Sequence, residues 1–221
     1  MKPVLYPIPL LVVTVTLLIR AEFLEKRRQV YVFKPLSTLL VIATALLSFP
    51  EPTPNLTYTV GIVIGLLFSL GGDVALMFKE SRKAFAVGLV LFLLAHVAYT
   101  VVFILLGRFS VWDLLSAGLL LAAGAGFYTL LRPNLGSMRG PVIAYMVVIS
   151  LMVNRAASTL VSPAFTPGQA AMILSGAVLF YISDVMLAAN RFWRPWRYHR
   201  VSLAFYYSGQ LLLALAAGYF S

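Results

Sequence analysis

Cysteine is absent from the 221 residues, which excludes disulfides, thiolate nucleophiles and sulfur-ligated metals. Histidine occurs twice, at His96 and His199, and Asp and Glu together number 7. Zinc hydrolases embedded in membranes draw on several histidines, so neither a metal nor another cofactor is expected. Charge is scarce as well: 11% of residues are Asp, Glu, Lys or Arg, less than half the share in an ordinary soluble domain.

Long apolar runs are abundant. With 61% apolar residues and a mean hydropathy of +0.94, the chain reads as a polytopic membrane protein. Its length allows about eight spans of ~20 residues and leaves no room for a separate soluble domain. The expected fold is therefore all-α, a single integral membrane bundle over residues 1–221. The spans fall at about 4–20, 35–50, 57–78, 84–106, 112–131, 141–161, 168–190 and 200–220. Proline marks many of the joints: Pro35 opens the second span, and Pro50, Pro52 and Pro54 separate it from the third. Arg132-Pro133 closes the fifth, Gly140-Pro141 opens the sixth, and Pro163 and Pro167 break six from seven. The first run, Val4 to Ile19, has no small-residue cleavage signal behind it and reads as a retained span.

Lys and Arg are unevenly placed. Fourteen of the 17 lie after spans one, three, five or seven, in segments such as Lys26-Arg27-Arg28 and Arg191 to Arg200. A net charge of +10 would point to nucleic acid in a soluble chain, but here it sets membrane orientation, and no nucleic-acid partner is expected. By the positive-inside rule those connections are cytoplasmic and both termini face outward, in what would be a bacterial inner (cytoplasmic) membrane. Arg155 falls within span six and could pair inside the bundle or snorkel to the outer face, the favoured expectation.

Two carboxyls break the apolar runs. Gly65 to Leu76 and Gly176 to Leu187 echo one another: each has Gly eight residues before an aspartate, and Val-x-Leu after it. Asp73 and Asp184 are thereby placed at matching depth, about 9–10 Å beneath the cytoplasmic boundary. A carboxyl group in hydrocarbon costs at least ~2.5 kcal/mol, and such groups usually mark substrate or proton paths. The bland alternative is a structural bond between helices. The echo continues weakly in Phe92-x-x-x-His96 and Tyr206-x-x-x-Gln210, as expected of two parallel four-helix repeats with a site between them. Two carboxyls sharing a site, one protonated and one ionised, would make a general acid and base.

Other polar residues could line the same cavity. His96 and Tyr99 share a face of span four, although a lone membrane histidine often serves only to bond a neighbouring helix. Tyr145, Tyr206, Tyr207 and Gln210 are polar groups within apolar runs, and Gln210 is the deepest. Lys34 and Arg191 stand at the cytoplasmic rim, where each could receive a lipid phosphate or serve as an ordinary positive-inside charge. His199, in the basic segment, reads as interfacial.

These residues resemble those of a known family, the YhhN-like lysoplasmalogenases, over about Lys34 to Gln210. The likeness rests on Lys34-Pro35-Leu36, Gly72-Asp73-Val-x-Leu76, Phe92-x-x-Ala-His96-x-x-Tyr99 and Pro141-x-x-x-Tyr145. It continues in Ser183-Asp184-x-x-Leu187-Ala-x-Asn190-Arg191-Phe192 and Tyr206-Tyr207-x-x-Gln210. The resemblance implies a multispan hydrolase that cleaves the vinyl ether bond of lysoplasmalogen, a lysophospholipid, to a fatty aldehyde and glycerophosphocholine or -ethanolamine. It also implies that Asp73 and Asp184 are catalytic. Acid hydrolysis of a vinyl ether needs a carboxylic acid to protonate carbon and a carboxylate to stabilise the cation and activate water, without thiol or metal. A proton-coupled transporter or lipid-binding protein using the same aspartates is the alternative.

Overall fold

The computed structural model describes residues 2–78 and 80–220, so Lys79, one of the basic residues counted above, lies outside the described residues. Among the described residues there is no strand, and eight α-helices form: α1 (Ile8–Phe23), α2 (Arg27–Leu46), α3 (Leu56–Leu76), α4 (Arg82–Leu106), α5 (Val111–Leu131), α6 (Arg139–Ala157), α7 (Pro167–Ala188) and α8 (Ser202–Ala216). Each, with its flanking turns where it has them, is long and apolar enough to cross a membrane.

Side chains satisfy several helix starts, whose free N–H groups are costly near hydrocarbon. Asn55 Oδ1 accepts from Tyr58 N at 3.0 Å to start α3, and Ser81 Oγ accepts from Ala84 N at 3.1 Å to start α4. Thr166 and Gln169 form a reciprocal capping box at α7.

One boundary differs from expectation. α2 begins at Arg27, eight residues before Pro35, which lies inside the helix. Proline gives up one N–H bond and bends the helix, but the remaining turns and the neighbouring helices hold it. Lys34 is therefore a helical residue, only 8% exposed, and not a loop residue at the rim. At the other flank of the site, α7 runs into a single π-helical turn, Ala189–Trp193, of the kind often found where backbone has been adjusted for function.

Six helices close a ring in the order α2, α3, α4, α6, α7, α8, with α1 against α2 and α8 and α5 leaning on α6. Exchanging helices 1–4 with 5–8 carries the ring onto itself: α2–α3 becomes α6–α7, α3–α4 becomes α7–α8, and α2–α8 becomes α6–α4. Glycines permit the closest approaches. A Cβ at Gly176 would stand 2.8 Å from the Gly209 carbonyl oxygen, and one at Gly65 would meet the Tyr99 ring.

Arg155 corrects another expectation. It does not snorkel; its Nη1 lies 2.9 Å from Asp113 Oδ1, with Asp113 buried and Arg155 mostly covered. Asn154 Nδ2 adds a 2.7 Å bond to the Asp113 carbonyl, so polar groups fasten α5 to α6 at this end.

Candidate active site

Asp73, in the last turn of α3, is 1% exposed and bound on both oxygens. Its Oδ2 accepts from Thr38 Oγ1 at 2.6 Å and from Tyr206 Oη at 2.7 Å, and its Oδ1 lies 3.3 Å from Lys34 Nζ. Tyr207 supports this network from behind, donating to the Lys34 carbonyl at 2.9 Å. The cost of burying the carboxylate is offset by a cation and two hydroxyl donors drawn from α2 and α8.

Asp184, in α7, is held on one oxygen only. Tyr145 Oη donates to Oδ2 at 2.5 Å, and His96 Nε2 stands 3.2 Å from Oδ2 and 2.9 Å from Tyr145 Oη. The single tyrosine hydrogen goes to the carboxyl, so His96 Nε2 carries the hydrogen in its own contacts. Among the described residues Oδ1 of Asp184 accepts no hydrogen bond. The Asp184 side chain keeps 13% of its surface.

The two networks repeat a single plan. Lys34 precedes Asp73 by the same 39 positions by which Tyr145 precedes Asp184. The helix before each aspartate contributes to its network, Lys34 and Thr38 of α2 for Asp73 and Tyr145 of α6 for Asp184. The last helix of the other half adds one side chain, Tyr206 of α8 for Asp73 and His96 of α4 for Asp184. The halves diverge in chemistry, since the position that holds a cation in the first holds a phenol in the second.

Sequence reasoning placed both carboxyls in one shared site, whereas the structure gives each its own network. Between them stand Phe92 and Phe180: the Phe92 ring packs edge-on against Phe180 and Tyr206, and the Phe180 ring lies 4.7 Å from that of His96. Tyr99 and Gln210 bond one another, Tyr99 Oη donating to Gln210 Oε1 at 2.8 Å, and neither bonds to an aspartate.

Asp184 opens onto a cavity and Asp73 does not. A chamber lies among α3, α4, α5, α6 and α7, with Leu89, Phe92, Phe127, Val142 and Tyr145 in its walls. Among the described residues, Asp184 is the one carboxyl and Arg191 the one cation in its lining. Leu76, Phe85, Leu187 and Arg191 are shared with a vestibule, where Lys34, Asn190 and Arg200 also line the wall. The Arg191 guanidinium lies over the Phe85 ring, 5.0 Å from its centroid. Asn190 lines the vestibule but spends its carboxamide oxygen on Trp196 N, closing the turn after α7.

Several residues of the site escaped sequence reasoning. Thr38 is one; it sits four residues after Lys34 and so shares its helix face, which was the available signal. Glu22 and Arg200 line the vestibule, as does His199, which had read as merely interfacial. Among the described residues no three His, Asp or Glu side chains converge as a metal site would require.

The geometry can be set beside known proteins. Residues 29–217 match the model of the YhhN family. Lysoplasmalogenase TMEM86A of Bos taurus is 34% identical over 162 residues, covering 71% of this chain and 64% of that protein. Lysoplasmalogenase TMEM86A of Homo sapiens is 35% identical over 161 residues, with the same coverage. The match thus spans less than two thirds of each relative's own length, and no solved structure matches the chain. A family match running from the start of α2 to the end of α8 encloses both aspartate networks, and the chain belongs to the YhhN family.

Proposed function

We propose that the protein is a membrane hydrolase that cleaves the vinyl ether bond of lysoplasmalogen, with Asp184 as the reacting carboxyl. The observation that carries this reading is the open Oδ1 of Asp184, the one carboxyl of an apolar chamber that joins a cationic vestibule. The names of the relatives supply the substrate class.

The chemistry follows from the contacts. Tyr145 and His96 occupy Oδ2, so the proton of a neutral Asp184 resides on Oδ1, facing the chamber. That proton passes to the β-carbon of the vinyl ether, leaving an oxocarbenium ion beside the new carboxylate. Water adds to the cationic carbon and returns a proton to Asp184. The hemiacetal then collapses to a fatty aldehyde and a glycerophospho-alcohol. Tyr145 and His96 stabilise the carboxylate at the moment it forms, a fixed arrangement that needs no reorganisation.

Arg191 and Lys34 serve the phosphate from the vestibule, and Asp73 balances the Lys34 charge while the site is empty. In this reading Asp73 is a positioning carboxyl, held by Thr38 and Tyr206, and both ends of the substrate meet a matching environment. The site faces the cytoplasm because the basic connections flank it.

The test is incubation of purified protein in detergent with lysoplasmalogen, followed by measurement of released aldehyde. Hydrolysis proceeds without a compartment. Absence of aldehyde in detergent, with substrate or proton flux in sealed vesicles, would replace the hydrolase by a transporter.

A further inference from the structure

The reaction chamber is shallow on the hydrocarbon side. Its wall on α7 begins at Tyr181, one turn beyond Asp184, and its wall on α6 ends at Ile149, one turn beyond Tyr145. A chain entering past the carboxyl therefore has about 5–6 Å before it meets packed side chains. A long lipid tail spans roughly half of the ~30 Å hydrocarbon core, about 15 Å. The tail must leave the chamber sideways.

One exit is built. A separate apolar groove runs between α5 and α6, and Met146 lines both it and the chamber. On α6 the groove extends from Ile143 to Asn154, about 16 Å of helix, which matches the tail. Its α5 wall is made shallow by Ala117, Gly124 and Ala125. A Cβ placed at Gly124 would meet only Met146 Cε, at 3.9 Å.

Both ends of the groove are fixed. At one end Arg155 and Asp113 pair at 2.9 Å, and at the other Leu131 packs with Leu135 and Val142 in a small core of its own. Between these anchors α5 is hardly covered, with 6% of its membrane-spanning window buried. The gap is thus held open to the bilayer, where a hydrocarbon chain could slide in from the side without being threaded.

We propose that the α5–α6 groove is the tail subsite of the enzyme, taking a single long hydrocarbon chain that crosses Met146 from the reaction chamber. The proposal rests on the hydrolase reading for the identity of the chain's headgroup. It assigns to α5 a substrate-binding role and to Gly124 a place in chain-length selection.

Two measurements test it. The first uses a non-hydrolysable alkyl-ether lysophospholipid with a photoreactive diazirine at the end of a long tail, added to the purified protein in nanodiscs. Labelling is expected on Leu120 and Ser150, the half-buried residues of the groove, and excess unlabelled lysophospholipid should suppress it. Labelling spread over the outer helix faces and indifferent to competitor means bulk bilayer lipid only, and overturns the proposal. This readout needs no turnover, so it stands even if aldehyde release fails and the hydrolase reading falls.

The second compares long-tailed with short-tailed lysoplasmalogen in Gly124→Leu, a change with space to fold. KM for the long substrate should rise about tenfold, the worth of about two buried methylenes, while the short substrate is unaffected. Met146→Ala, which widens the threshold, should leave folding intact and favour bulkier tails. Equal effects of Gly124→Leu on both chain lengths, or none on either, would contradict the assignment.

Discussion

Asp73 and Asp184 occupy equivalent positions in two echoing segments, and what separates them is the partner of the second oxygen. Lys34 claims it in Asp73, and the chamber claims it in Asp184. Removing the cation should therefore destabilise more than it impairs binding. Lys34→Ala leaves a buried carboxylate unpaired, at a cost of about 3–5 kcal/mol, whereas Lys34→Met with Asp73→Asn should lie much nearer the wild type. Thermal unfolding in detergent reads the difference; equal melting of the single and double variants would show that the pair carries no such coupling. Tyr145→Phe keeps the ring and deletes the donor to Oδ2. It should lower kcat by about 10–100-fold with little change in KM, because the bond strengthens only as Asp184 becomes charged. The aspartates were legible in the sequence because a carboxyl in an apolar run is conspicuous. Their partners were not: whether Tyr206 or Gln210 faces Asp73 depends on helix rotation and axial offset, which spacing within one helix does not encode.

Whole spans were easier to read than single contacts. Each apolar run became a helix, since a segment in hydrocarbon must satisfy its own backbone. The start of α2 escaped because Pro35 was read as punctuation, although a proline whose neighbours compensate for the lost N–H can stay within a membrane helix. The partner of Arg155 escaped for a related reason: Asp113 lies 42 positions away on another helix and doubles as a cap for α5. Glycine roles also separate at this scale. Gly176→Leu would drive a side chain into the Gly209 carbonyl and split α7 from α8, moving Asp184 with it. Loss of monodisperse folded protein on size-exclusion chromatography is expected. Gly118→Leu, with open space around it, should behave as the wild type. A well-folded, active Gly176→Leu would show that the close α7–α8 approach is not required.

At the scale of the whole molecule, a ring of six helices is tied by two related networks near one end, with α1 and α5 outside it. The echo between Gly65–Leu76 and Gly176–Leu187 pointed to two halves, and the 39-residue spacing of Lys34–Asp73 and Tyr145–Asp184 extends it. That extension was invisible in composition, because Lys and Tyr are unlike residues doing the same positional job. We infer that the basic end of the ring faces the cytoplasm. Reporter fusions near residues 26, 135 and 195 should read as cytoplasmic, and an outward-facing reporter near Arg194 would invert the site's placement. The central claim is that Asp184 supplies the proton, and the most direct measurement is aldehyde release from lysoplasmalogen by Asp184→Asn beside the wild type, at matched folding and melting temperature. Asparagine keeps the shape and an acceptor for Tyr145 but cannot pass on a proton. The account predicts a fall of about 100-fold or more. Near-full activity in the folded Asp184→Asn protein would contradict it and reduce Asp184 to a hydrogen-bonding tie between α4, α6 and α7.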